Sequence, residues 1–281
     1  MTVILRGKEI SEKIKEDLST RILELKKINK IPKLATIRLG ENPDDISYER
    51  NIIRNTEKLG IEHLGIILDE NSTTEELREE VEKLNEDDNV HGILILSLLT
   101  TREDQDIIRK VISPEKDIDG IHPLNLEKIF RGEIDGFGPC AAIAAIKVLE
   151  HENITLKGKN FVIVNRSMVI GKPLAMMALA HDATVTICHS NTKNLKELTK
   201  AADIVCVATG RAKYFDKEFF NEDAIVIDIG IAMDENNKLC GDVDFEDAKD
   251  YVKMITPVPG GLGGVTTSLL LEHVVRSAEN N

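Results

Sequence analysis

The sequence predicts an α/β protein made of two α/β domains, each built on a parallel sheet covered by helices. Short apolar runs alternate along the chain with segments of helical periodicity. Several of these runs are apolar at nearly every position, which is typical of strands buried on both faces. A stretch rich in Asp, Pro and Gly, PEKDIDGIHPLN at 114–125, interrupts the alternation. We place the junction between the two domains there.

Periodicity and end signals place the elements of the first half. Apolar residues at helical spacing predict a first helix over 11–25. A second helix is predicted over about 46–59, where Gly60 ends it, and Thr73 with Glu76 forms a capping box that opens a third. Three strands separate these helices, at LATIRLG (34–40), HLGIIL (63–68) and VHGILIL (90–96).

The second half repeats the alternation. Helices are predicted at 141–150, 174–180, about 193–201 and 268–278. Strands are predicted at NFVIV (160–164), ATVTIC (183–188), DIVCVATG (203–210) and AIVIDIG (224–230). This β-α-β-α-β series is typical of a Rossmann-type sheet that binds nucleotides.

The same pattern sets the domain boundaries. We expect a first domain over residues 1–120 and a Rossmann-type domain over residues 140–265. The last helix, within 267–281, follows the second domain in sequence. We expect it to fold back onto the first domain.

The charge balance excludes several classes of partner. Lys and Arg number 36 against 49 Asp and Glu, and the resulting net charge of −13 repels nucleic-acid backbones and anionic membranes. The longest strongly apolar run, 92–99, is far too short to span a bilayer. Charges at the N-terminus come too early for a secretory signal. We expect a cytoplasmic protein that binds neither nucleic acid nor membranes.

The cysteines give no sign of a metal site or of disulfides. The four are Cys140, Cys188, Cys206 and Cys240, and none has C-x-x-C spacing. The seven histidines do not cluster near them in sequence. We therefore expect free thiols in a reducing compartment and no bound metal.

The loop NRSMVIGKP at 165–173 is the first candidate for chemistry. It joins a predicted parallel strand to a helix, and such a junction offers free N–H groups and the positive end of the helix dipole to a phosphate. The G-x-G-x-x-G pattern of many dinucleotide sites is absent, since the loop holds one glycine, Gly171. An ordinary connection between a strand and a helix is the alternative.

The end of the next strand bears on the choice of cofactor. A site specific for NAD usually has an acidic residue there, which holds the ribose 2′-hydroxyl. This chain has His189 and Ser190 instead, and Arg166 on the preceding loop is suited to pair with a 2′-phosphate. The pattern favours NADP over NAD if a dinucleotide binds, without excluding NAD. A solvated Arg166 is the alternative.

Two further segments are candidates for ligand contacts. TPVPGGLGGVTT at 256–267 combines prolines with exposed backbone, so a planar ligand can approach the main chain closely. In KDIDGIHP at 116–123, Asp119 lies at the predicted junction of the domains, and its carboxylate can accept two N–H bonds from an aminopyrimidine-like edge. A turn aspartate that caps its own backbone is the alternative for Asp119.

Taken together, these segments resemble the methylenetetrahydrofolate dehydrogenase/cyclohydrolase family. The resemblance rests on PEKDIDGIHPLN, NRSMVIGKP, TVTICHSNT, VIDIGI, GDVDF and ITPVPGGLG, which occur in the family's order over nearly the whole chain. It implies two α/β domains with a cleft between them, NADP on the C-terminal domain, tetrahydrofolate derivatives in the cleft, and a homodimer. It also implies oxidation of 5,10-methylenetetrahydrofolate by hydride transfer, followed by hydrolysis of the methenyl product to 10-formyltetrahydrofolate.

The resemblance also assigns residues. It places Tyr48 and Asp119 in the catalytic and folate-binding site, with Pro259, Gly260 and Gly261 closing over the folate. The implied cofactor contacts are Asn165, Arg166, Ser167, Ser190 and Ile231. Asn165 stands where the family usually has glycine.

Two positions depart from the family pattern. In the family's Y-x-x-x-K motif the lysine is the acid/base group of the hydrolytic step, and here that position is Ile52. A glutamine in the family's Q-L-P-L-P motif bonds that lysine; here the position is Leu96, and the two prolines are Leu98 and Thr100. Replacing both partners of a buried polar pair by apolar groups can be nearly neutral, whereas losing one is costly. In this chain both members of the lysine–glutamine pair are replaced by apolar residues.

We therefore expect a folate dehydrogenase whose cyclohydrolase activity is weak or absent. Hydride transfer is mostly the cofactor's chemistry, whereas hydrolysis needs a positioned acid/base group. A fully bifunctional enzyme is one alternative, and a protein that binds folate or pterin without turnover is another. A third is a relative that acts on a different pterin-like substrate.

Overall fold

The structure is a computed structural model that describes residues 1–96, 101–133 and 136–281. Its strands are β1 (Val3–Ile4), β2 (Lys33–Leu39), β3 (Glu62–Leu68), β4 (Gly92–Ile95), β5 (Asn160–Val164), β6 (Thr184–Cys188), β7 (Ile204–Val207), β8 (Ile225–Asp228), β9 (Ala232–Met233), β10 (Leu239–Cys240) and β11 (Met254–Ile255). Its helices are α1 (Lys8–Lys27), α2 (Pro43–Leu59), α3 (Thr74–Glu86), α4 (Arg102–Val111), α5 (Pro123–Phe130), α6 (Cys140–His151), α7 (Gly171–Ala180), α8 (Leu195–Lys200), α9 (Phe245–Ala248) and α10 (Gly263–Asn280). The predicted α/β class is confirmed.

The larger sheet has six parallel strands in the order β1-β11-β8-β7-β5-β6. It lies in a compact unit made mainly of Met1–Glu12 and Gly138–Thr266, which we call the large-sheet unit. Strands β7 and β8 are buried at every position, as the continuous apolar runs predicted. The two-residue strands β1 and β11 extend the sheet, and they are too short to give a periodic signal in the sequence.

The smaller sheet has three parallel strands in the order β3-β2-β4. It lies in a second compact unit, the small-sheet unit, made mainly of Lys13–Glu127 and Thr267–Asn281. One face of β2 presents Ala35 and Ile37 to a buried apolar cluster with residues of α3 and α4 such as Leu77 and Ile108. This cluster is the core of the unit on that side.

The opposite face of β2 is polar and still buried. Thr36 and Arg38 alternate with the apolar residues of the strand, as the period of two requires. Glu49 of α2 accepts hydrogen bonds from Thr36 Oγ1 (2.6 Å) and Arg38 Nε (3.0 Å), and His63 Nε2 lies 2.8 Å from Thr36 Oγ1. Burial lowers the pKa of His63. The network satisfies charges that would otherwise be costly under α2.

Most predicted helix ends are confirmed. The capping box of Thr73 and Glu76 is present, and Gly60 ends α2 in the left-handed conformation at φ 75°. Four helices begin about three or more residues earlier than predicted, among them α1 at Lys8 and α2 at Pro43. Helix α7 begins at Gly171 because Pro173 fits the first turn, and α10 begins at Gly263, inside the segment read as a loop.

The C-terminal helix belongs to the small-sheet unit from Thr267 onward. Arg21 of α1 forms an ion pair with Glu279 at 2.7 Å, and His273 Nδ1 lies 2.7 Å from the carbonyl oxygen of Ile118. The predicted domain boundaries remain a prediction. Among the described residues, no helix combines the length and apolar character needed to cross a bilayer.

Candidate functional site

The Asn165 side chain holds the loop after β5 in place through three hydrogen bonds. Its Oδ1 accepts hydrogen bonds from the amides of Ser167 (2.8 Å) and Gly171 (2.9 Å), and its amide nitrogen donates to the carbonyl of Ala208. Ser167 Oγ accepts the amide of Ile170 at 3.1 Å. Both polar ends of Asn165 are thus used within the protein. A ligand would meet the backbone of this loop rather than the Asn165 side chain.

Gly171 makes this compact loop possible. A Cβ atom at position 171 would lie 2.1 Å from the carbonyl oxygen of Asn165, so every larger residue would push the loop open. Within the part of the chain that the structure describes, the amides of Arg166, Met168 and Val169 donate no hydrogen bond. They precede the N-terminus of α7, where N–H groups and the helix dipole favour an anion.

A cavity of about 390 Å³ opens beside this loop, at the carboxyl ends of β5, β6 and β7. Among its lining residues are three of the predicted cofactor contacts, Asn165, Arg166 and Ser190. The other lining residues are Val164, His189, Thr192, Leu195, Ala208, Thr209, Arg211, Tyr214 and Phe215. None of these is acidic, although the chain as a whole carries a net charge of −13. The cavity is therefore a locally basic site.

The wall at the end of β6 is held by local hydrogen bonds. The amide of His189 donates to Thr192 Oγ1 at 2.8 Å, and the amide of Asn191 donates to His189 Nδ1 at 3.2 Å. These bonds fix the turn and leave Ser190 exposed at its tip. The absence of an acidic residue at this strand end, noted in the sequence, thus holds for the cavity wall as well.

Two predicted cofactor residues, Ser167 and Ile231, do not line this cavity. Ile231 follows β8 and is 65% exposed, which is unusual for an isoleucine. Its position is set by Asp228, whose buried carboxylate accepts the amides of Gly230 (2.9 Å), Asp242 (3.2 Å) and Val243 (2.9 Å). Asp228 belongs to the VIDIGI motif, and the residue pattern alone gives no sign of this structural role.

The glycine-rich segment is bonded to the short connection between β1 and α1 in the same unit. The amide of Gly7 donates to the carbonyl of Gly260 at 3.2 Å, and Gly260 has a φ of +107°, which L-residues rarely adopt. A Cβ atom at Gly7 would lie 2.1 Å from the carbonyl oxygen of Gly261. Pro259 and Gly260 are exposed and Gly261 is buried. The exposed part therefore combines a proline ring with the bare backbone of Gly260.

In the KDIDG segment the turn is capped by Asp117, not by Asp119. The buried Asp117 carboxylate accepts hydrogen bonds from the amides of Ile121 (3.1 Å) and His122 (2.8 Å) and from Asn125 Nδ2 (2.8 Å). Asp119 is half-buried, and no described residue donates a hydrogen bond to its carboxylate. The turn-capping alternative therefore applies to Asp117 and leaves the Asp119 carboxylate available to a ligand.

The surroundings of Asp119 make its charge costly. The pKa of Asp119 is raised to about 7, mainly by burial and also by the nearby Asp117 carboxylate, while Arg109 acts in the opposite direction. A half-buried carboxylate with a raised pKa and no donor is typical of a group that meets its partner only when a ligand binds.

Tyr48 and Ile52 lie on α2, one turn apart. Tyr48 is 40% exposed, whereas Ile52 is fully buried. Arg50 and Arg54 of the same helix are exposed. Leu96 is half-buried and follows β4, with its amide bonded to the carbonyl of Ile37 at 2.9 Å. The predicted positions Leu98 and Thr100 lie outside the described residues.

The raised pKa of Asp119 predicts a pH-dependent stability. Folding raises the pKa from 3.8 to about 7, so the folded state binds a proton that the unfolded state releases, and the free energy of unfolding falls as pH rises through this window. Asp119→Asn lacks this contribution. We expect the variant to gain stability relative to the wild type from about pH 4 to about pH 7, measured by urea denaturation.

A matched control is Asp88→Asn, which removes an exposed carboxylate from the same unit. Its stability relative to the wild type is expected to change much less over the same pH range. An Asp119→Asn curve parallel to that of the wild type would contradict the assignment of a raised pKa to this carboxyl.

The chain is similar over nearly its whole length to several known proteins. The curated Bifunctional protein FolD of Clostridium botulinum is 54% identical over 281 residues, covering 100% of both chains. A crystal structure of the bifunctional FolD methylenetetrahydrofolate dehydrogenase/cyclohydrolase from Campylobacter jejuni has a TM-score of 0.95 at 39% identity, covering 100% of this chain and 99% of that one. The FolD of Trypanosoma brucei, complexed with NADP cofactor and inhibitor, has a TM-score of 0.93 at 31% identity, with 99% and 98% covered.

Two family models match the chain. The catalytic-domain model of tetrahydrofolate dehydrogenase/cyclohydrolase matches residues 5–119, and the NAD(P)-binding-domain model of the same family matches residues 139–281. The first match ends at Asp119, and the second includes every residue that lines the basic cavity. This chain belongs to the tetrahydrofolate dehydrogenase/cyclohydrolase family.

Proposed function

We propose that this chain oxidises 5,10-methylenetetrahydrofolate to 5,10-methenyltetrahydrofolate with NADP as the hydride acceptor. The observation that carries the proposal is the Asp119 carboxylate, which is half-buried with no donor among the described residues while Asp117 closes the turn. Full-length relatives named as bifunctional FolD proteins support the same reaction.

The residues around the basic cavity fit NADP. The three amides of the 165–171 loop that donate no hydrogen bond within the described chain suit the pyrophosphate. Arg166, with Ser190 beside it in the cavity lining, suits a 2′-phosphate, which NAD lacks. Ile231, exposed after β8, is the apolar contact proposed on the same edge of the sheet. When bound, the nicotinamide supplies the acceptor for the hydride.

The proposed folate contacts are Asp119, Tyr48, Pro259 and Gly260. The Asp119 carboxylate accepts two N–H bonds from the aminopyrimidine edge of the pterin. The ligand thus supplies the hydrogen-bond donors that the turn does not provide. The partly exposed Tyr48 ring offers an aromatic surface to the folate. The exposed backbone of Pro259 and Gly260 is the proposed cover.

We propose that the hydrolytic step is weak or absent. Ile52 is fully buried, Leu96 is apolar, and an acid/base group contributes typically about 10²–10⁴-fold to a step that needs proton transfer. The neighbouring Arg50 and Arg54 are exposed, and arginine does not readily release a proton. The names of the relatives favour a fully bifunctional enzyme as the second candidate.

The proposed reaction is tested by following NADPH and methenyltetrahydrofolate by absorbance after mixing the protein with methylenetetrahydrofolate and NADP. We expect both products to rise together, and the methenyl compound to decay only at its rate in buffer. Asp119→Asn is expected to raise KM for the folate about tenfold, because an amide replaces the charged acceptor of two hydrogen bonds, with KM for NADP unchanged.

Each other outcome selects an alternative. Binding of the folate without NADPH formation would identify a binding protein. Decay of the methenyl compound faster than in buffer would identify a bifunctional enzyme. An equal rise of both KM values in Asp119→Asn would remove Asp119 from the folate site. NAD in place of NADP measures cofactor selectivity directly.

Positions 52 and 96 are both apolar, so we expect that a lysine introduced at position 52 alone does not restore the hydrolytic step. Ile52→Lys places an ammonium at a fully buried position whose family partner is Leu96, and a buried charge without a partner costs on the order of 3 kcal/mol. We expect a destabilised protein with little gain in methenyl hydrolysis. The double variant Ile52→Lys/Leu96→Gln is expected to be more stable and more hydrolytic than the single one.

Ile52→Met is the control, because it changes shape without adding charge. Urea denaturation and the decay of methenyltetrahydrofolate are measured on all three variants. Full hydrolytic activity in the single Ile52→Lys variant, at wild-type stability, would refute the paired loss.

We further propose a homodimer formed through the edge of the smaller sheet. Strand β3 has a single neighbour among the described strands, and it exposes Leu64 (40%) and Ile67 (59%). An apolar edge strand of this kind is a template for pairing with a second chain. Light scattering after size exclusion is expected to give twice the mass of one chain for the wild type and the mass of one chain for Ile67→Lys. A wild-type monomer, or an unchanged dimer in the variant, would contradict the proposal.

A further inference from the structure

The basic cavity contains a second arginine that neither the sequence motifs nor the family pattern pointed to. Arg211 follows β7, and Arg166 follows the adjacent strand β5. Both line the same cavity of about 390 Å³, which has no acidic lining residue. Within residues 1–96, 101–133 and 136–281, neither guanidinium forms an ion pair. Two positive charges therefore face one cavity without a compensating carboxylate.

The position of Arg211 is fixed at both ends. Its backbone amide donates to Asp242 Oδ1 at 2.9 Å, and Asp242 is fully buried. Its guanidinium carbon lies 3.6 Å from the centroid of the Tyr214 ring. Tyr214 in turn contacts Phe215 edge-on, with ring centroids 5.0 Å apart, and Phe215 is fully buried. The arginine thus rests on an aromatic support anchored in the core.

This support determines which part of Arg211 is available. The guanidinium lies over the Tyr214 ring, and the N–H donors at its edge form no hydrogen bond with a described residue. Such edges match the oxygens of a phosphate, and stacking reduces the side-chain entropy lost when a ligand binds.

We propose that Arg211 is a second ligand of the 2′-phosphate of NADP, acting with Arg166 to select NADP over NAD. This inference rests on the proposed use of a dinucleotide cofactor. A 2′-phosphate carries close to two negative charges and three acceptor oxygens, so two guanidinium groups can bind it together. Arg211 is then a specificity-determining residue that contacts the cofactor directly.

Calorimetric titration of the full chain with two simple probes tests the proposal. Adenosine 2′,5′-bisphosphate and adenosine 5′-monophosphate differ only in the 2′-phosphate. We expect the wild type to prefer the bisphosphate. Arg211→Gln is expected to lower the affinity for the bisphosphate about tenfold and to leave the affinity for the monophosphate within about twofold. Arg211→Lys is expected to lie between the two, because it keeps the charge but loses the fork.

Lys213→Gln is the matched control. It removes the same charge two residues away, from a side chain paired with Asp234 at 2.9 Å that does not line the cavity. Its affinities for both probes are expected to stay within about twofold of the wild type. If it weakens bisphosphate binding as much as Arg211→Gln does, the general charge of the loop is responsible and the proposal is wrong.

The remaining outcomes separate this inference from the proposed function. Equal losses for both probes in Arg211→Gln would show that Arg211 supports the adenine, which overturns the proposal. A wild-type preference for the bisphosphate that Arg211→Gln retains would overturn it while leaving NADP use intact. A wild type without preference for the bisphosphate would overturn both this inference and the proposed NADP selectivity.

Discussion

Two buried carboxylates, Asp228 and Asp242, hold the carboxyl edge of the large sheet, and the cofactor side of that unit depends on them. Asp228 accepts three backbone amides beyond β8, and Asp242 accepts the amide and hydroxyl of Thr209 and the amide of Arg211. Because burial raises the pKa of Asp228 to about 7, these bonds do not fully offset its desolvation. Glycines at 230 and 241 leave the space, since a Cβ at either would lie within 2.2 Å of a carboxylate atom.

In the small-sheet unit, two neighbouring charged residues, Lys116 and Asp117, likewise form hydrogen bonds with backbone groups. Lys116 Nζ donates to the carbonyls of Leu84 (3.0 Å), Asn85 (2.8 Å) and Asp87 (2.7 Å) at the end of α3, and Asp117 accepts the turn that follows. These two residues, with Asn125, hold the segment without a hydrogen bond from the Asp119 side chain. Asp119 is therefore free of any structural hydrogen bond from the described residues, and this division of roles supports its assignment to the substrate.

Helix α2 shows how one surface can bury both charged and apolar groups. Glu49 is held by Thr36 and Arg38, and Ile52, three residues later, is fully buried. The charged groups are tolerated because each has a partner, and the apolar group needs none. A lysine at position 52 would lie on this surface without a partner, because position 96 holds a leucine. Apolar residues at both positions leave no buried polar group unsatisfied.

The sequence alone determined the α/β class, most strands and helices, the loop at 165–173, the missing acidic residue after β6 and the apolar pair at 52 and 96. These follow from periodicity, end signals and motif spacing, which are local properties. Tertiary structure alone decided that Asp117 rather than Asp119 closes the turn, and that Arg211 joins Arg166 in one cavity. The meeting of the two arginines depends on parallel pairing, which joins strand ends whose separation along the chain leaves no local signal. The choice between two aspartates two residues apart depends on the path of the backbone through the turn, which the residue pattern does not specify.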